Sequence, residues 1–119
     1  MATPIDQDFF ARLNALNEKF AAGIPATMQR LQEARARFEP EAPDQQLVKE
    51  MHQVLHTIAG SAATFGFRIL GQEARHLEQR LRVLMAYPVI AARDWRDWMA
   101  ALDEYLAWAL RNPKAGSYP

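Results

Sequence analysis

Apolar residues recur every three or four positions along almost the whole of this chain, and no alternating run of useful length interrupts them. That spacing puts them on one side of an α-helix, so the sequence is confined to an all-α fold class. Glycines and prolines divide it into five expected helices. The first covers about residues 6–22, with Phe9, Leu13, Leu16 and Phe20 as its stripe. Thr3 or Asp6 would cap it, and Gly23 would close it in the left-handed conformation. The second covers about 25–38, with Pro25 in a first-turn position and Met28, Leu31 and Phe38 facing inward. Pro40 and Pro43 then break the helical pattern. The third begins near Asp44, a good N-cap, and ends near Phe65 or Gly66. The fourth covers about 67–85 and carries Leu70, Ala74, Leu77, Leu81 and Leu84. The fifth covers about 89–110, with Trp95, Trp98, Leu102, Tyr105 and Ala109 on one face.

Five amphipathic helices joined by short connections predict an antiparallel four-helix bundle with an additional N-terminal helix, the first segment being the extra one. At 119 residues the chain suits one domain, expected over 1–112, with 113–119 a flexible C-terminal tail or the start of a linker. The 14 basic residues balance the 14 acidic ones, so there is no bulk attraction to nucleic acid or to an anionic membrane. Without cysteine there is no disulfide, thiol nucleophile or thiolate metal site. No apolar run approaches the ~20 residues of a membrane span, and the start of the chain does not read as a secretory signal. These features predict a cytoplasmic domain.

The third helix holds the candidate chemistry. At about 100° per residue, Leu47, Met51, Val54, Ile58 and Phe65 cluster on one side. His56 falls roughly opposite, surrounded by His52, Ala59, Gly60 and Ala63, with Val48 and Leu55 flanking. Gly60 stands out, because a mid-helix glycine costs about 1 kcal/mol relative to alanine. Lying away from the apolar stripe, it is expected to let a partner approach the imidazole rather than to let helices pack closely. Gly66 is expected to cap the helix, and Gly71 to allow close packing in the hairpin that follows.

His56, Gly60, Ser61 and Gly66 together resemble the histidine-containing phosphotransfer (HPt) domain, whose pattern is His-x-x-Lys-Gly, small residues, and a glycine ten positions after the histidine. The five-helix layout with the motif in the third helix is similar too. The resemblance implies a phosphorelay protein that accepts a phosphoryl group from a receiver-domain aspartate on His56 and passes it to another receiver. It implies response-regulator receivers and a hybrid sensor kinase as partners, Mg²⁺ supplied by the receiver, and no cofactor bound by this chain. It implies a phosphotransfer intermediate with no kinase or ATPase activity of its own, and no glycine-rich nucleotide loop argues otherwise. Gly60, Ala59, Ala63, Leu55 and His52 would give access and docking. Ala59 stands where the family often has lysine, so a substitute cation would come from Arg75 or Arg82. Gln53 or His52 would hydrogen-bond the ring or the phosphoryl group.

Three rival readings accompany this one. His52 and His56 have a spacing that can hold zinc, with Glu73, His76 or Glu78 as a third ligand. Gln53, however, occupies the position of the metalloprotease glutamate. An HPt-like bundle can also serve as a protein-interaction module that never accepts phosphate. The third rival is a plain helical structural domain, with Trp95 and Trp98 as core residues and His76 on the surface.

Overall fold

The computed structural model describes residues 4–119. Those residues form four α-helices and a short 3₁₀ turn, and there is no strand among them. The helices are α1 (Pro4–Arg37), α2 (Gln45–Ser61), α3 (Arg68–Met85) and α4 (Ala92–Arg111), with the 3₁₀ turn (Ala62–Phe65) extending α2. No helix among the described residues is long and apolar enough to cross a membrane.

The expected break at Gly23 and Pro25 is absent, so the extra N-terminal helix is not a separate element. Both residues lie inside one 34-residue helix, and Gly23 keeps a negative φ. Proline inside a helix removes one hydrogen bond and crowds the carbonyl four residues back. Packing on the opposite face offsets that loss. Ile24, Met28, Leu31, Ala34 and Phe38 form a continuous buried stripe, while Pro25 faces solvent. The hydroxyl of Thr27 also donates to the Gly23 carbonyl at 3.0 Å. Thr3, one of the two expected caps, lies outside the described residues, and Asp6 sits within the first turn.

At 1.5 Å per residue α1 spans about 51 Å, in a molecule 60 Å in its longest dimension. Its first half overhangs the other helices. Phe9, Phe10 and Leu16 are more than half exposed there. The core begins at Phe20, whose ring stacks on Phe65 at 5.0 Å and meets Phe67 at 5.3 Å. From that point α1 packs against α2 and α4, and α3 packs against the same two helices. Neighbours run antiparallel. Trp98 and Tyr105 on α4 donate to the carbonyls of Leu77 and Leu70 on α3, at 3.0 and 2.9 Å. Arg35 near the end of α1 forks onto Asp103 in α4, beside the Phe38–Trp95 ring contact. Trp95 and Trp98 are core residues, as expected.

The α2–α3 hairpin positions the candidate site. Asp44 caps α2, its Oδ1 accepting from the Gln46 N–H at 2.8 Å. At the far end Gly66 adopts φ +89°, the left-handed conformation that a side chain resists. The Gly66 N–H then reaches the Ala63 carbonyl and the Phe67 N–H reaches that of Ala62. This paired closure satisfies carbonyls left open at the helix end, and the buried Phe67 seals it. After the turn, α2 and α3 run side by side at close range. A β-carbon added at Gly71 would lie 3.1 Å from that of Ala62, so glycine is what permits this approach.

The last seven residues fold back on the bundle. The Lys114 ammonium lies 5.3 Å from the centre of the Phe67 ring, and Tyr118 meets Trp108 edge to face at 5.1 Å.

Candidate functional site

His56 projects from the middle of α2 with its side chain 55% exposed. Its ring is held from below. Nδ1 lies 3.0 Å from Oε1 of Glu78, a carboxylate on α3 that is only 1% exposed. The Arg82 guanidinium donates to the same oxygen at 2.8 Å. Arg75 approaches the other oxygen, Oε2, at 3.9 Å, within ion-pair range and beyond hydrogen-bonding distance. His52, one turn before His56, stacks parallel to it at 6.1 Å. Its Nε2 is 3.8 Å from Oε1 and buried, with no hydrogen-bond partner among the described residues.

Burial raises the pKa of Glu78, since it disfavours the charged form. The hydrogen bond with His56 outweighs that effect, together with the charges of His56, His52 and Arg82, and the carboxyl is held below its ordinary value. Glu78 is therefore ionised at neutral pH. An ionised carboxylate only accepts hydrogen bonds, so the proton lies on His56 Nδ1. In the neutral ring Nε2 then carries the lone pair, on the edge turned away from Glu78. The arrangement presents a nucleophilic nitrogen to solvent and sets a fixed negative charge behind it.

Small residues follow His56 one and two turns along the chain. Gly60 is exposed, and a β-carbon added there would meet nothing within 4 Å, so it leaves room above the helix and has no packing role. Ala63 is exposed and Ala59 half-buried. The expected docking role of Leu55 does not hold. This residue is 0% exposed, because one step along α2 from His56 turns the side chain into the core. Val48 is equally buried. His52 is largely covered, at 23% exposed, and Gln53 is exposed one turn before His56. His76 lies on the surface beside Glu73, at 3.3 Å. Among the described residues, no group of three or more histidine, aspartate or glutamate side chains is arranged to hold a metal ion.

Glu78 is the residue that sequence reasoning valued only as a metal ligand. Its signal was present in the stripe of α3, where it stands four residues after Ala74 and three before Leu81. A carboxylate at a core position is rare unless it is paired.

The Hpt domain family model matches residues 15–108. That range takes in most of the chain, including all of α2 and α3, and the chain belongs to this family. At family level it is a histidine phosphotransfer module of phosphorelays, and such domains interact with receiver domains. No curated protein and no solved structure matches the chain.

Proposed function

We propose that this protein is a phosphorelay intermediate whose phosphoacceptor is Nε2 of His56, borne on an antiparallel four-helix bundle. The supporting observation is the 3.0 Å contact between Nδ1 and the buried Glu78 carboxylate on a half-exposed ring, which favours the neutral tautomer with its proton on Nδ1 and its lone pair on Nε2. The Nε2 lone pair attacks phosphorus in line, forming an N–P bond as the P–O bond to a receiver aspartate breaks. The aspartate carboxylate leaves with that electron pair. The imidazole keeps its Nδ1 proton and gains positive charge, and Glu78 lies directly against that charge. Return of the group to a second receiver reverses these steps.

The receiver brings its own Mg²⁺ for the charge on the phosphoryl oxygens. This chain supplies the nucleophile, its orientation and an open approach over Gly60, Ala59 and Ala63. Arg75 and Arg82, which border the Glu78 carboxylate, and Gln53 on α2 are the candidate polar groups for the phosphoryl oxygens. An apolar groove of about 330 Å³ between α1 and α2, lined by Phe20, Ile24, Met28, Ile58 and Phe65, offers contact area next to Thr57.

Incubation with a phosphorylated receiver tests the reading. We expect an acid-labile, base-stable label on the wild type and none on His56→Gln. Label retained by that variant places the acceptor elsewhere. A wild type that binds receivers but takes no label is an interaction module instead.

A further inference from the structure

A phosphoryl group on His56 carries two negative charges to a surface whose nearest fixed charge, Glu78, is also negative. Once the receiver and its Mg²⁺ depart, a cation of this chain would offset that charge, and two arginines border the site. Arg82 is committed. It donates to Glu78 Oε1 at 2.8 Å, on the oxygen that also receives His56 Nδ1–H. Arg75 is differently placed. Its guanidinium lies 3.9 Å from Oε2, close enough to be drawn to the carboxylate, yet it makes no hydrogen bond there. Its side chain is 46% exposed, so it can turn outward with little resistance.

The register of the hairpin decides which way it turns. His56 is opposite Glu78, and Ala62 is against Gly71. Ala59, three residues from each on α2, therefore faces Arg75, three residues from Glu78 on α3. The two line one surface groove of about 320 Å³, with Ala63, Gly71, Gln72 and Gln79. Its α2 wall consists of methyl groups, so nothing on that side competes with an incoming anion. Arg68 and His76 complete the rim, so the groove holds cationic and amide groups and no carboxylate.

We infer that this groove is a phosphoryl-oxygen site and that Arg75 is its charge-stabilising residue, swinging from Glu78 onto the phosphoryl group as His56 becomes phosphorylated. Released from Arg75, Glu78 keeps its bonds to Arg82 and to the now positive His56 ring. The inference rests on the phosphorelay reading and adds to it which side chain takes the oxygens and from which side. A planar fork of N–H donors suits phosphoryl oxygens.

The experiment compares initial rates of label transfer from one phosphorylated receiver, at fixed ionic strength, for the wild type, Arg75→Ala, Arg75→Ala with Ala59→Lys, and His56→Gln. Arg75→Ala is expected to slow transfer about tenfold, since a single exposed cation is lost. Ala59→Lys returns a cation to the same groove from α2, and is expected to restore most of that rate. A wild-type rate for Arg75→Ala overturns the inference. So does a slowed Arg75→Ala that Ala59→Lys fails to rescue, because Arg75 then acts through the fold or through receiver docking. Label on His56→Gln overturns the phosphorelay reading itself and is seen separately from both.

Discussion

The buried carboxylate beneath His56 leads to the most informative perturbation, a comparison of Glu78→Gln with Glu78→Ala. The glutamine amide oxygen can still accept from Nδ1–H at about the observed 3.0 Å, so the ring tautomer is kept while the charge is lost. Alanine removes both. Opposite unit charges near 4 Å attract by about 4 kcal/mol at an effective dielectric of 20. His56 is 55% exposed, and water screens most of that. Fully exposed pairs retain only about 0.2–1 kcal/mol. The ring becomes positive as the N–P bond forms, so the carboxylate contributes about 1–2 kcal/mol in the transition state, or roughly tenfold in rate. Glu78→Gln should therefore accept phosphate about tenfold more slowly with its ring tautomer unchanged. Glu78→Ala should be slower again, with the Nδ1–H preference lost. Initial transfer rates, with nitrogen NMR of the His56 ring, read both effects. If Glu78→Gln transfers at the wild-type rate, the reaction does not feel the charge, and the argument from Glu78 to nucleophile activation is refuted.

Other perturbations test the fold that places this pair. Pro25→Ala restores a helix hydrogen bond on an exposed face without touching the core, and should stabilise the protein by about 1–3 kcal/mol in urea unfolding. Gly71→Ala adds a methyl group 3.1 Å from Ala62 between two helix backbones. Overpacking of about 1–3 kcal/mol should exceed the gain of about 1 kcal/mol in helix propensity, giving a lower urea midpoint. Because Glu78 ionises below its ordinary value of 4.5, its contribution to stability is complete above that pH. That contribution is lost as pH falls through the lower folded value. The urea midpoint of the wild type should accordingly drop more between pH 6 and pH 3 than that of Glu78→Gln.

Much of the hairpin was legible because its signals are local. Asp44 caps α2 through its own side chain, and Gly66 takes the one positive φ among the described residues, both where the sequence pattern put them. The exposure of His56 followed from helical periodicity alone. Three features were not legible, for different reasons. Pro25 and Gly23 look like a boundary, and the helix continues because the stripe from Ile24 to Phe38 is buried on the other side. Leu55 sits near the edge of the helical wheel, where the closeness of the neighbouring helices decides burial. The role of Glu78 depends on the α2–α3 register, which a single-helix pattern does not contain. The relation of Arg75 to Ala59 comes from that same register.

The most direct test of the account is the position of the phosphoryl group on the His56 ring after transfer from a phosphorylated receiver, read by phosphorus–proton NMR coupling. Attachment at Nε2 is the predicted result, since Nδ1 is occupied by its proton and its bond to Glu78. Attachment at Nδ1, or on any residue other than His56, would contradict the account.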